Sequence, residues 1–484
     1  MNCSSFFTQI QDDVNIARNG GIILKGQTRN SRQPVHMMLL VDTSGSMESE
    51  DKLSSVKRSI QLMLELLSPE DRLSLVTFAD DSKTFLNRAV PTPEERQAIQ
   101  YRINNLRADG STNMSAGLLE VRGLVEPPSS GRKQGLILLT DGHANIGVHS
   151  EQGLIEILQR IQSESEGLSL TTVAYGVDHN AEMLTNLAKA GGGAYNVVTN
   201  LEDVATVFGD ILGGLVSVSA QKVEVQFPPG ATVSTSYRTE VDPTGLITVY
   251  VGDLYADGEV TILFKSAPSQ GPIRVKGTDM TSLDTLDILT EPAVLSNIQD
   301  IPVSLIMAEY RQKVVTLLLQ MRTHASPRGV LREQAETLQK QIQDDDRVRD
   351  HPLKAVLLED IQKALEVNQR GHMTQHETVE MVQHSAYLGM GRGLRSLTGH
   401  VPPAPAAAAA PVRSRGTGAS RLRRQVAIGS VGSEDPNEDA RPSSPPMPPD
   451  LAPMMTSPFA NRYQTHIATV MRTMSSQPED QRNR

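Results

Sequence analysis

The stretch VHMMLLVDTSGSM, residues 35–47, decides how the first half of this chain folds. Up to Val41 it is apolar apart from His36 and shows no alternation, which marks a strand buried on both faces. The strand stops at Asp42, a polar loop with Gly45 follows, and then Leu53, Val56, Ile60, Leu64 and Leu67 recur three or four residues apart, with Pro69 just beyond. That spacing predicts a helix over 52–67. Strand, loop and helix make one unit of a parallel sheet, and RLSLVTFA (72–79), GLILLTD (135–141) and SLTTVAYGV (169–177) supply further strands, with a second helix over 153–163. Residues 34–214 are expected to form a doubly wound, mostly parallel α/β domain of Rossmann-like character.

Outward from this block the period changes. Val223, Val225 and Phe227, then Ile247, Val249 and Val251, then Val260, Ile262 and Phe264 alternate at period two, with PPG, DPTG and ADG between them. Residues 215–300 are expected to be a β-sandwich, and the early pieces VNIA and GIILKG, within residues 1–33, to join its sheets, so that the α/β domain is inserted between early and late strands. Helical spacing returns over 301–398, in Leu305, Ala308, Val315, Leu318 and Leu319, then Leu331, Ala335, Leu338 and Ile342, then Leu353 through Leu365: a hairpin or small bundle. Residues 399–458 are rich in Pro, Ala and Ser and read as a disordered linker, followed by a tail over 459–484.

Composition agrees with this division. The chain has 484 residues, enough for several domains, with 38% hydrophobic and 21% charged residues but only 4% aromatics, no Trp and 28 Pro. A net charge of −10 supplies no overall basic field, so neither nucleic acid nor a membrane surface is expected as a partner. Cys3 is the single cysteine, which excludes an internal disulfide, a RING and a zinc ribbon. The start of the chain lacks a basic stretch leading into an apolar core, and no apolar run is long enough to span a bilayer, so cytoplasmic residence is expected, with the nucleus as the alternative.

The chemistry is concentrated at Asp42, Ser44 and Ser46. They sit at the carboxyl end of the buried strand, where open α/β sheets bind ligands. A carboxylate and two hydroxyls at alternating positions of a tight loop offer hard oxygen donors, suited to magnesium, calcium or manganese and not to thiolate-seeking metals. Thr112, in DGSTNMSAG, and Asp141, in LILLTDGHANIG, add two more oxygen donors at analogous places. Helix capping alone would explain Asp42, Ser44 and Ser46 but neither Thr112 nor Asp141.

This set of five resembles the metal-ion-dependent adhesion site of von Willebrand factor type A domains. The resemblance implies that Ser44, Ser46 and Thr112 coordinate a cation by hydroxyl, that Asp42 and Asp141 bind directly or through water, and that an acidic residue of a partner protein takes the remaining position. Magnesium is the expected cofactor, with manganese or calcium as substitutes. The segments ILGGLVSVSAQKVEV and YRTEVDPTGLITVYVGDLYADGEVTILF, and the tail YQTHIATVMRTMSSQ, are similar to the plant RING-type ubiquitin ligases that carry an A domain. There the RING precedes the A domain; here only residues 1–33 and one Cys do, so ligase activity through a RING is not expected. A substrate-recruiting or regulatory subunit in ubiquitin transfer, paired with another ubiquitin-pathway protein, is the alternative function.

Other signals are weaker. His372, His376, Glu380 and His384 recur every four residues, but the series drifts round a helix and reads as a solvated face. Arg413, Arg415, Arg421, Arg423 and Arg424 lie in the linker without interleaved aromatics and read as a solubilising run. Gly191 to Gly193 make a turn into a strand, and neither GxSxG nor HExxH occurs. Cys3 has no nearby base and is not expected to be a nucleophile. No enzyme activity is expected. The tail carries Ile467, Val470, Met471 and Met474 at helical spacing, with two destinations open to it: homo-oligomerisation, or packing back on the helical segment.

Overall fold

The computed structural model describes residues 1–8, 18–28, 32–127, 130–165, 167–199, 201–266, 271–295, 298–323, 326–390, 464, 467 and 469–473. The central sheet of the α/β domain has six strands: β3 (Val35–Asp42), β4 (Arg72–Phe78), β5 (Ser82–Ala89), β6 (Lys133–Thr140), β7 (Ser169–Tyr175) and β8 (Gly192–Val198). Their order is β5-β4-β3-β6-β7-β8, all parallel except the β4–β5 hairpin. Every residue of β3 and of β6 is buried, as uninterrupted apolar runs require at the centre of a two-faced sheet.

Alternate side chains of β3 serve opposite faces. Val35, Met37, Leu39 and Val41 meet α1 (Lys52–Leu66), α2 (Pro93–Asn104) and α6 (Leu201–Val216), whereas Met38 and Leu40 meet α3 (Met114–Val121), α4 (Glu151–Glu164) and α5 (Ala181–Ala190). This is the expected α/β class. The strand β5 had no place in the sequence reading, because SKTFLNRA is a polar edge strand that buries only Leu86.

The sandwich is built from two five-stranded sheets. One contains β1 (Asn2–Thr8) and β2 (Arg18–Lys25) together with β10 (Thr232–Ser234), β13 (Glu259–Ser266) and β16 (Ala293–Leu295), in the order β10-β13-β2-β1-β16. The other contains β9 (Val218–Phe227), β11 (Arg238–Val241), β12 (Ile247–Tyr255), β14 (Ile273–Asp279) and β15 (Thr285–Thr290), in the order β11-β12-β9-β14-β15. In the first sheet Ile22 of β2 stands opposite Ile262 of antiparallel β13, so the chain enters the sandwich before the α/β domain and returns to it afterwards. Ile22, Leu24, Val223, Val225, Phe227 and Phe264 close the core between the sheets. The piece VNIA lies outside the described residues, as do the linker 399–458 and its arginine run.

Four helices follow: α7 (Val303–Thr323), α8 (Arg328–Asp344), α9 (Pro352–Arg370) and α10 (Gln375–Met390). The first three close on one another through Leu318, Leu338, Leu357 and Ile361. Helix α10 joins all three parts of the molecule. Its Met381 and Leu388 enter the bundle core, Val379 and Val382 enter the α/β core, and Met390 enters the sandwich core.

That packing corrects the solvated reading of the histidine series at His384 alone, for His372 and His376 are exposed and Glu380 is half-buried. His372 precedes α10, and His384 is buried with its Nε2 2.5 Å from Asp360 Oδ2 of α9. His384 lies on the face of α10 that packs against α9, whereas His376 lies on the face that meets water. Cys3 likewise lies in β1, half-buried, where burial pushes its thiol up to about 11.

The tail does not meet the helical segment in the manner expected of it. Ile467 and Met471 are buried in the α/β core beside Val204 and Phe208 of α6. Gln464 Nε2 donates to the Asp210 carbonyl at 3.2 Å, and Arg472 Nη2 to Thr206 Oγ1 at 3.0 Å. The apolar face of α6 outside the sheet is what Ile467 and Met471 cover. No helix among the described residues is long and apolar enough to cross a membrane.

Candidate metal centre

Asp42 is the last residue of β3, and the parallel register that pairs Val41 with Leu139 sets it beside Thr140 at the end of β6. Thr140 Oγ1 donates to Asp42 Oδ2 at 2.6 Å, and the Ser44 amide donates to Asp42 Oδ1 at 2.8 Å. The turn after β3 is thus tied to the carboxylate that begins it. Three loops are then stitched together by backbone contacts. The Gly45 amide donates to the Gly110 carbonyl at 2.9 Å, and the Asp109 amide to the Thr43 carbonyl at 2.8 Å. The Thr112 amide donates to Asn145 Oδ1 at 2.9 Å, while the Asn145 amide donates back to the Thr112 carbonyl at 3.1 Å.

These ties bring the side chains of the five residues to one place. Ser44 Oγ and Ser46 Oγ are 3.1 Å apart, and Ser46 Oγ donates to Asp141 Oδ1 at 2.8 Å. A Cβ built on Gly142 would lie 3.7 Å from Ser46 Oγ and 3.8 Å from Thr112 Oγ1, so both hydroxyls border the space that the glycine leaves open. Asp42, Ser44, Thr112 and Asp141 are buried; Ser46 is exposed and forms the outer lip.

Burial holds the Asp42 carboxyl above its ordinary value, opposed by hydrogen bonds from Ser44 and Thr140 and reinforced by the neighbouring charge of Asp141. One cation already answers this charge: Lys52 Nζ lies 2.8 Å from Asp141 Oδ2. Neither Lys52 nor Thr140 was singled out in the sequence. Lys52 is the first residue of α1, a helix N-terminus where the backbone dipole disfavours positive charge, and that anomaly was its only trace. The shell is five hard oxygens with two carboxylates and no soft donor, which fits a small divalent cation. It also explains why no group of three or more His, Cys, Asp or Glu able to hold a metal occurs among the described residues, since most of these donors are hydroxyls.

His179, on the loop after β7, is buried near this site. Its Nε2 is 2.5 Å from the Tyr195 hydroxyl, and burial, with His143 second, pushes it down to about 4.

Residues 36–211 match the family model of the von Willebrand factor type A domain. This part of the chain has the von Willebrand A fold. Such domains are in general metal-dependent protein-interaction modules. The chain is similar to the uncharacterized protein YfbK of Escherichia coli, with 28% identity over 254 residues, 50% of this chain and 44% of that protein. It is also similar to inter-alpha-trypsin inhibitor heavy chain H4 of Bos taurus, with 25% identity over 215 residues, 43% of this chain and 23% of that protein. The chain thus spans less than half the length of either relative.

Among solved structures, a von Willebrand factor type A protein from Catenulispora acidiphila superposes with a TM-score of 0.56 at 13% identity, covering 79% of this chain and 96% of that one. The ArnB paralog VWA2 from Sulfolobus acidocaldarius superposes with a TM-score of 0.53 at 15% identity, covering 80% and 97%. Both likenesses extend beyond the A domain, so the fold shared with them includes sandwich and helices as well.

Proposed function

We propose that this A domain binds a protein partner through a divalent cation held by Asp42, Ser44, Ser46, Thr112 and Asp141. The observation that carries this reading is the convergence of the Ser46 and Thr112 hydroxyls on the space beside Gly142, with Asp141 hydrogen-bonded to Ser46 and Asp42 fixed behind them. Magnesium suits such a shell because it retains waters that an incoming carboxylate replaces; manganese or calcium would substitute. The partner presents an Asp or Glu that completes the coordination. The protein acts by binding, not by catalysis, in the cytoplasm or the nucleus.

Calorimetric titration of magnesium, manganese and calcium into the chelator-stripped chain, beside folded Asp42→Ala and Asp141→Ala variants, tests the metal half of this proposal. Uptake by the wild type and loss in both variants is the expected result. The partner half is contradicted by binding that survives both chelator and Asp42→Ala. A regulatory role in ubiquitin transfer rests on the sequence resemblance alone, and no contact among the described residues argues for it.

A further inference from the structure

Where the A domain, the sandwich and the helical bundle meet, they enclose a cavity of about 320 Å3, the scale of a small-molecule site. Its wall draws on β8 from the A domain, the turn between β12 and β13 from the sandwich, and α7, α9 and α10 from the bundle. None of the five candidate metal ligands lines it.

Arg311 of α7 reaches this space with only 8% of its surface exposed. It makes a single hydrogen bond, from Nη2 to the Thr261 carbonyl at 3.3 Å, and no carboxylate forms an ion pair with it among the described residues. A guanidinium carries five N–H donors in a fixed fork and keeps its charge, so most of its donors are left for something else. Burial pushes Arg311 below its ordinary value, with Tyr237 and Glu259 acting in the opposite sense.

A second buried donor lines the same cavity. Asn196 of β8 is 3% exposed; its Oδ1 accepts from the Tyr387 hydroxyl, and its Nδ2 has no partner. Four acidic residues lie on the wall: Asp253 pairs with Lys133 at 2.9 Å, Glu259 with Lys25 at 3.0 Å, Asp257 accepts from Thr28 Oγ1 at 2.5 Å, and Asp210 lies on α6 where the tail meets it. What remains unmet beside Arg311 is therefore donor capacity, on its guanidinium and on Asn196 Nδ2.

We propose that this cavity binds a small organic oxyanion, a carboxylate or a phosphate ester, through Arg311 and Asn196. The guanidinium fork matches two oxygens of either group, and the anion restores the charge compensation that burial took from Arg311. Because three parts of the molecule build the wall, the ligand binds only when they are docked and stabilises that docked state by mass action.

The test is calorimetry and thermal unfolding of the full chain with succinate and with phenyl phosphate. At least one of them is expected to bind the wild type and raise its melting temperature. Succinate uptake would assign a carboxylate, and phenyl phosphate uptake a phosphate ester. Arg311→Gln should abolish this binding and Asn196→Ala should weaken it. Should Arg311→Gln fail to fold, Asn196→Asp, which sets a negative charge against the ligand, replaces it and should also abolish binding. Absence of uptake of both anions at millimolar concentration, or unchanged affinity in the folded variants, overturns the proposal.

Discussion

Strand β6 has a buried lysine–aspartate pair at each end, and the two pairs differ in what surrounds them. At the amino end, Lys133 Nζ meets Asp253 of the sandwich at 2.9 Å, both side chains almost wholly buried, and donates also to the Gly167 carbonyl at 2.5 Å. Charge and hydrogen bonds balance there, and the pair bolts one domain to another. At the carboxyl end, Lys52 meets Asp141 at 2.8 Å, but a second buried carboxylate, Asp42, and three hydroxyls crowd the same spot. Negative charge and acceptors are in excess. A closed pair holds structure; an open one asks for a cation. The difference lies in the neighbours and not in the ion pair itself.

The largest effect is expected at the closed end. Asp253→Ala strands a buried ammonium and should destabilise the protein by about 3–5 kcal/mol, read by urea unfolding, whereas Lys133→Met combined with Asp253→Leu should recover most of the loss. At the open end a similar change should act on binding: Lys52→Met removes a competing cation and should raise divalent affinity about tenfold in calorimetry, while Lys133→Met should leave it unchanged. Equal effects of Lys52→Met and Lys133→Met on metal uptake would erase the distinction.

Smaller effects follow from titration. The folded-state value of Asp42 is raised, so its contribution to stability is complete below the ordinary carboxylate value of 3.8 and is lost as pH rises through the raised value. Asp42→Asn should therefore raise the melting temperature of the metal-free protein at pH 7, with the gain disappearing in acid and reversing under saturating magnesium. For His179 the sign is opposite. Its folded value of about 4 lies below the ordinary 6.5, so its contribution is present above pH 6.5 and lost as pH falls towards 4. His179→Gln should flatten the decline in melting temperature over that window.

The α/β class was legible because VHMMLLVD and GLILLT are unbroken apolar runs ending in polar turns, and burial on two faces leaves no other residues for such strands. Strand β5 was not, since an edge strand with one buried leucine has no pattern to read. Asp42, Ser44, Ser46 and Asp141 could be named from their positions after strands, and Thr112, in the loop between α2 and α3, from the motif it completes, but the parallel register that sets Thr140 beside Asp42 exists only once the sheet is formed. Lys52 has Glu48, Glu50 and Asp51 close by in sequence, yet its partner Asp141 is remote. His384 misled for the same reason: spacing along α10 places a residue on a face, and only the neighbours of α10 decide whether that face sees water. The destination of the tail, too, depended on an apolar face of α6 that sequence spacing does not match to a partner.

The central claim is that the carboxyl end of β6 is an open cation site and the amino end a closed pair. Anomalous scattering from crystals soaked in manganese addresses it directly. The account predicts a manganese peak about 2.1 Å from the Ser44 and Ser46 hydroxyls, with Lys52 displaced from Asp141 and the Lys133–Asp253 contact intact. Crystals saturated with manganese that show no peak there, and Lys52 still bound to Asp141, would contradict it.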